Sequence, residues 1–182
     1  QRWYFLLQIP GLWRAMFLVN EDASDERVQT REFAQSLMAG VVPGVSNYEI
    51  AHITLYKVHQ RVAKSFRQGR TFLIGDAAHI NNPLGGMGMN GGIHDAVNLA
   101  SRLAAVWHGE KTEEIDRYDK QRRGVTLEYI QKYTIQNKKN LESSGDEFGA
   151  SLKAIKADAA RTREYLLRVS MIASLTRASE LG

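Results

Sequence analysis

The chain has 182 residues, and its 24 Lys and Arg residues against 20 Asp and Glu residues give a net charge of +4. A hydrophobic fraction of 43% and a charged fraction of 24% are typical of a globular protein and exclude a disordered or low-complexity chain. The absence of cysteine excludes a disulfide framework, a thiolate metal site and a cysteine nucleophile. No basic stripe with interleaved aromatic residues indicates nucleic-acid binding. We expect a cytoplasmic protein of one domain, or parts of two.

The first third of the chain has the composition of a β-rich segment. Residues 2–9 and 12–19 are aromatic and aliphatic and flank the turn signal Pro10-Gly11, which predicts an antiparallel hairpin. Helical spacing of apolar residues then predicts one helix over about 24–40. Residues 48–62 are rich in Ile, Thr, Tyr, Val and His, and they predict a long strand or a bent pair.

The remainder is predicted to be one strand, a glycine-rich loop and three helices. Residues 71–74 form the short apolar strand. Apolar residues spaced by three and four predict a helix over about 91–107, and a second, long helix follows over 112–141. A break over 143–146 precedes a third helix over 152–181. The mixed charges of this last helix favour a solvated surface over contact with an anionic membrane.

The apolar stripe of the last helix must be buried against another surface. The preceding helix and a second copy of the chain, as in a homodimer, are the two candidates. No apolar run in the sequence reaches the roughly 20 residues of a membrane span.

The chain opens with Gln1 inside an apolar, aromatic run, and we therefore interpret it as a fragment of a longer protein.

Five of the 15 glycines lie between Gly85 and Gly92, directly before a predicted helix. Such a density lets the backbone approach a ligand closely, and the helix N-terminus can bind an anion. Gly86, Gly88 and Gly91 match the pattern GxGxxG. The dinucleotide fingerprint, however, must follow its strand directly and lead into a second strand, and neither condition is met here.

Polar residues around this loop have two interpretations each. Asp76 follows the apolar strand, where its carboxylate can accept hydrogen bonds from ligand hydroxyls or cap a turn. His79 can lie near a ligand or make a structural hydrogen bond. Asp95, in the first turn of the predicted helix, favours support of that helix. The five histidines show no metal-ligand spacing, and GxSxG is absent, so we expect no metal site and no hydrolase chemistry.

The segment GRTFLIGDAAH (69–79), followed by PLGGMGMNGGIHDAVNLASRLA (83–104), resembles the second FAD-binding motif of single-component flavoprotein aromatic hydroxylases of the para-hydroxybenzoate hydroxylase type. Ubiquinone-pathway hydroxylases and phenol-type monooxygenases are among the relatives. The resemblance implies an α+β or α/β fragment. Residues 1–68 would end a β-sheet substrate domain, 69–109 would hold the last strand and the FAD motif of a Rossmann-like domain, and 110–182 would form the closing helices.

The resemblance also implies roles for individual residues. Asp76 would hydrogen-bond a ribityl hydroxyl of FAD, and Pro83 would lie beside the reactive edge of the flavin. The backbone N–H groups near Met89 and Asn90 would face the flavin N1/C2 carbonyl region. The residues implied to contact FAD are Gly75, Asp76, Gly85, Gly86, Gly88, Met89 and Asn90.

The implied activity is hydroxylation of a phenolic or similar aromatic substrate. NAD(P)H would reduce FAD, and O₂ would react through a flavin C4a-hydroperoxide. The family's GxGxxG unit for the ADP half of FAD and its DG motif do not occur in this sequence. We therefore expect the missing N-terminal part of the same protein to be a partner of this chain, and the isolated chain to be inactive.

Two other functions fit the same residues. A non-catalytic helical interaction module could have inherited the motif after losing the nucleotide half. A related flavoprotein, such as a halogenase or a dehydrogenase, could use the same scaffold for another reaction.

Overall fold

The computed structural model describes residues 4–20, 22–142 and 145–182. The chain divides into two compact units, 1–57 and 58–182, which are described separately. Both strands and helices are present, as the sequence predicts for a fragment of mixed class. Among the described residues, no helix is both long enough and apolar enough to cross a membrane.

The first unit begins with the predicted hairpin. Strands β1 (Tyr4–Ile9) and β2 (Leu12–Phe17) pair antiparallel, with Tyr4 opposite Phe17 and Ile9 opposite Leu12. Gly11 has a φ of 76°, the left-handed conformation that a tight turn demands and that glycine adopts without strain. The hairpin is confirmed, and most of its side chains are exposed, including Trp13 at 64%.

Two short helices replace the single helix predicted over 24–40. Helix α1 (Asp25–Val28) is capped by Ser24, and α2 (Arg31–Met38) is capped by Thr30, whose Oγ1 accepts the N–H of Phe33 at 3.2 Å. A side chain that caps a helix competes with continuation of the preceding helix at that point. Thr30 therefore divides the segment.

In the second unit the strands are only two residues long. The prediction of a long strand or a bent pair over 48–62 is wrong: of these residues, all of which the structure describes, only β3 (Arg61–Val62) forms a strand. It pairs with β6 (His79–Ile80), and β4 (Arg67–Gln68) pairs with β5 (Thr71–Phe72). A strand requires a partner for its backbone groups, and residues 48–60 pair with no strand among the described residues.

The helices of the second unit occupy most of its length. They are α3 (Met87–Trp107), α4 (Glu113–Val125), a π-helical segment (Thr126–Gln131), α5 (Lys132–Glu142), α6 (Gly145–Lys156), α7 (Ala159–Val169) and α8 (Ile172–Glu180). The first helix begins four residues before the predicted start at Gly91. The predicted long helix over 112–141 is confirmed as a helical stretch interrupted by the π turns.

The C-terminal helix predicted over 152–181 is three helices instead. Asp158 ends α6 by capping α7, because its Oδ1 accepts the N–H groups of Ala160 and Arg161 at 2.9 and 3.1 Å. Met171, with a φ of 63°, makes the turn before α8. Of the predicted break, residues 143 and 144 lie outside the described residues.

Two buried clusters place the glycine-rich loop. One joins the short strands to α3 and α4, and the other joins the start of α3 to the π-helical segment and to the α7–α8 turn. The first consists of Phe66, Ala78, Leu99 and Tyr118, and the second of Met87, Ile130 and Met171. Ala78 belongs to the first cluster and Met87 to the second, so the two clusters pack both ends of this loop against the helices of the second unit.

Candidate functional site

The turn that carries Asp76 lies directly against the first turns of α3. Gly75–Ala77 forms a single 3-10 turn in which Gly75 has a φ of 55°. A Cβ atom placed on Gly92 would lie 3.1 Å from the Cα of Gly75, which is closer than ordinary side-chain contacts. Glycine at 92 therefore allows the two backbones to meet, and glycine at 75 adopts the left-handed conformation of the turn.

A buried carboxylate holds this turn from below. Asp95 accepts the N–H of Gly75 at 3.0 Å, a hydrogen bond from Nε2 of His79 at 2.9 Å, and one from Nε of Arg122 at 2.7 Å. Asp95 is 0% exposed and Arg122 is 1% exposed. We call Asp95, His79 and Arg122, together with the Gly75 N–H, the buried acid network. It links the strand end, α3 and α4 through one side chain.

The electrostatics of the network favour an ionised Asp95. Burial raises the pKa of Asp95. The hydrogen bonds from His79 and Arg122, together with the positive charge of Arg122, lower the pKa by more than burial raises it, so it lies below its ordinary value of 3.8. The carboxylate thus compensates a buried guanidinium. The pKa of the adjacent His94 is lowered, mainly by burial and then by Arg122. Its Nδ1 is buried and has no hydrogen-bond partner among the described residues.

The residues above the network have the opposite character. Asp76 is exposed, and within the described part of the chain its carboxylate makes no hydrogen bond or ion pair. Pro83, Gly85 and Gly86 are exposed, and Met89 is 75% exposed. We call Asp76, Pro83, Gly85, Gly86 and Met89 the exposed rim. Its groups are free to contact a ligand.

The N-terminus of α3 forms part of the rim. Gly85 and Gly86 have φ values of 101° and 66°, and Gly86, as the N-cap, contributes no side chain to the first N–H groups of the helix. Asn90 is exposed, and its Nδ2 donates to the carbonyl of Gly86 at 2.9 Å. Gly88 is half-buried beside Asn81. The unpaired N–H groups and the helix dipole together favour a ligand with an electron-rich oxygen.

The structure therefore separates two kinds of residue that the sequence placed together. His79 makes the structural hydrogen bond that was one of its two interpretations. Asp95 does more than support its own helix, since it accepts hydrogen bonds from three other parts of the chain. No signal in the sequence indicates that Arg122 pairs with Asp95, because the two residues lie 27 positions apart.

Comparison with known proteins gives one family and several relatives. The family described as FAD binding domain matches residues 9–132. The chain is 37% identical over 174 residues to para-nitrophenol 4-monooxygenase of Pseudomonas sp. (strain WBC-3), covering 91% of this chain and 43% of that protein. It is 33% identical over 162 residues to 6-hydroxy-3-succinoylpyridine 3-monooxygenase HspB of Pseudomonas putida (strain DSM 28022 / S16), covering 86% and 41%.

A solved structure of a monooxygenase is also similar to this chain. The crystal structure of p-nitrophenol 4-monooxygenase PnpA from Pseudomonas putida DLL-E4 matches with a TM-score of 0.76 and 34% identity, covering 91% of this chain and 44% of that chain. The chain thus spans less than half the length of each of these three relatives.

Proposed function

The chain belongs to the FAD binding domain family, and from that membership we propose that it is part of an FAD-dependent monooxygenase that hydroxylates an aromatic ring. The observation that carries this proposal is the exposed rim, where an exposed carboxylate, a loop with left-handed glycines and a helix N-terminus lie together. The rim falls within residues 9–132, which match the family. The names of the relatives include a nitrophenol and a hydroxypyridine. We therefore propose a phenolic or similar aromatic substrate.

The rim fits the chemistry of FAD in three respects. The Asp76 carboxylate is an unused acceptor, as a ribityl hydroxyl requires. Left-handed glycines allow the flavin to lie close to the backbone at Gly85 and Gly86. The N–H groups at the start of α3, around Met89 and Asn90, offer partial positive charge where a reduced flavin is electron-rich.

Residues of the rim and their neighbours have proposed roles in that complex. Asp76 orients the ribityl chain, and Gly75 sets the turn that presents it. Pro83 lies beside the reactive edge of the ring, while Gly85, Gly86 and Gly88 let the loop pass close to it. FAD, when bound, supplies the transfer of electrons from NAD(P)H and the activation of O₂. The protein supplies orientation and electrostatic stabilisation.

The division of the chain follows from the same proposal. We place the end of the substrate domain at 1–68, the FAD motif and its helix at 69–109, and the closing helices at 110–182. The relatives are more than twice as long as the matched region. A further N-terminal segment would supply the site for the ADP half of FAD.

The test is oxygen and NAD(P)H consumption by the protein expressed from its complete reading frame. We expect bound FAD, and faster consumption when a member of a panel of phenols and hydroxypyridines is added, with a product that gains one oxygen atom. Purified protein that neither retains nor binds FAD would refute the cofactor assignment. Bound FAD without stimulation by any aromatic compound, across both NADH and NADPH, would refute the monooxygenase assignment.

A further inference from the structure

The turn around Pro83 is held by a polar clamp on its inner side. Asn82, at 5% exposed, directs its amide into the protein. Its Nδ2 donates to Oε1 of Gln60 at 2.9 Å and to the carbonyl of Thr134 at 3.1 Å. Its Oδ1 accepts the N–H of Leu84 at 3.1 Å, which closes a turn over Pro83. One side chain therefore both shapes the turn and anchors it.

Gln60, which we call the anchor of the clamp, is itself hydrogen-bonded to the π-helical segment and to α5. Gln60 accepts the Asn82 N–H at 3.1 Å, and its Nε2 donates to Oε1 of Gln131 at 2.7 Å and to Oγ1 of Thr134 at 2.9 Å. Thr134 is fully buried. A buried amide whose donors and acceptors are all used in this way fixes a loop in one geometry, because any shift leaves polar groups unpaired.

The π-helical segment places these partners. A π turn contains an extra residue, so it changes which side chains of the following helix face the loop. Gln131 ends the segment, and Thr134 lies in the first turn of α5. One turn further on, Nδ2 of Asn137 donates to the carbonyl of Leu84 at 3.1 Å, and a Cβ on Gly85 would lie 2.5 Å from that nitrogen. The loop is thus hydrogen-bonded on its inner side at 82 and 84, and at 85 it lies too close to Asn137 for a side chain.

We propose that Asn82 is a positioning residue, which acts through Gln60 and Thr134 to hold Pro83 and Gly85 at a fixed distance from the flavin ring. The inference rests on the proposed function and deepens it. Asn82 itself faces inward, away from the exposed rim. Asn82 therefore affects the position of the flavin ring, and through that position it affects how tightly O₂ reduction is coupled to hydroxylation. Without coupling, NAD(P)H and a proton reduce O₂ to H₂O₂ and no oxygen reaches the substrate.

The adjacent asparagine provides a matched control. Within the part of the chain that the structure describes, the side chain of Asn81 makes two long hydrogen bonds, 3.4 Å from its Nδ2 to the Asn82 carbonyl and 3.5 Å between its Oδ1 and Nδ1 of His79. Asn81→Ala therefore removes an amide of the same type from the neighbouring position without removing the clamp. Asn82→Asp keeps the acceptor for Leu84 but loses the donor to Gln60 and Thr134. Gln60→Ala removes the anchor and leaves the turn intact.

The experiment compares these variants in the complete protein by FAD titration and by the visible absorption spectrum of bound flavin. It also measures the H₂O₂ share, which is the amount of H₂O₂ formed per NAD(P)H consumed. We expect Asn82→Ala, Asn82→Asp and Gln60→Ala to bind FAD about tenfold more weakly, with a shifted flavin spectrum and a larger H₂O₂ share, and Asn81→Ala to resemble the wild type. Because Asn82 acts through Gln60, the double variant Asn82→Ala/Gln60→Ala should be no worse than the stronger single variant.

Two results would overturn the inference. The first is folded Asn82 and Gln60 variants with the wild-type flavin spectrum and H₂O₂ share, even if their melting temperatures fall, because this would reduce the clamp to a structural role. The second is an Asn81→Ala effect equal to that of Asn82→Ala. If Asn82→Ala does not fold, Gln60→Ala alone decides the question. A wild-type protein that binds no FAD would refute the proposed function itself, a result distinguishable from both.

Discussion

The buried acid network and the exposed rim meet between two consecutive residues, since Gly75 donates to the network and Asp76 belongs to the rim. In the network, the Asp95 carboxylate is inaccessible and receives three hydrogen bonds. In the rim, the Asp76 carboxylate is exposed and receives none within the described residues. Two aspartates of one site thus have separate tasks: the first contributes to folding and the second remains available to a ligand.

The largest expected effect is on the network. Asp95→Ala leaves the Arg122 guanidinium buried without its counter-charge and removes the acceptor of the Gly75 N–H, so we expect a loss of about 3–5 kcal/mol in the free energy of unfolding. Urea unfolding followed by circular dichroism measures it. Asp116→Ala is the matched control, because Asp116 pairs with Arg67 at the surface and should cost less than about 1 kcal/mol. Equal losses would contradict the distinction.

A smaller effect, on binding, is expected at the rim. Asp76→Ala removes the charged acceptor that we propose for a ribityl hydroxyl, so it should weaken FAD binding about 10- to 100-fold, while the free energy of unfolding changes by less than about 0.5 kcal/mol. Fluorescence titration of FAD into the complete protein measures the first quantity. Asp158→Ala should do the reverse, since it removes the N-cap of α7, at a cost of about 1 kcal/mol, and leaves FAD affinity unchanged. A stability loss without a binding loss at Asp76 would assign it to the network.

The boundary between network and rim should be sensitive to backbone strain. Gly75→Ala forces a side chain into a left-handed conformation at a φ of 55° and should cost about 1–2 kcal/mol by chemical unfolding. Gly149→Ala, in the interior of α6 with open space around it, should instead stabilise by up to about 1 kcal/mol. Stabilisation at both glycines would show that the backbone of the Gly75 turn is not constrained.

The smallest effect is expected on mild acidification. The folded-state pKa of Asp95 lies below 3.8, so its contribution to stability is complete above that value and is lost as the pH falls through the lowered pKa. The stability gap between wild type and Asp95→Asn should therefore be flat between about pH 5 and pH 7 and should narrow only below about pH 4. A gap that already narrows near neutral pH would mean that the carboxyl is protonated more easily than the geometry implies.

The sequence was sufficient for part of this fold. Periodic apolar residues identified α3 after residue 91 but not its first four residues. These four residues lie within the glycine-rich stretch 85–92, and glycine has low helix propensity and gives no periodic signal. The two glycines that follow them in the helix are required by contacts: a Cβ on Gly91 would lie 3.0 Å from Ile130, and one on Gly92 would lie 3.1 Å from Gly75. Such contacts are tertiary, and no local pattern records them.

The site divides in the same way. The resemblance named the residues of the rim as candidates because they all lie within one short segment, 76–89. The network and the clamp depend on pairs far apart, such as Asp95 with Arg122 and Asn82 with Thr134, 27 and 52 residues away. A single sequence carries no signal for such pairs. The long strand over 48–62 failed for a related reason, since its composition suits a sheet and the pairing that defines a strand is absent from the described residues.

The hairpin of β1 and β2 has a practical consequence. Each strand pairs with the other and with no third strand among the described residues, so the outer edge of each carries unpaired backbone groups between exposed aromatic and aliphatic side chains. Such edges are templates for intermolecular β-pairing. Production of these 182 residues alone therefore risks aggregation at the hairpin, and a charged substitution such as Leu12→Lys would be the first change to make for handling the chain in solution.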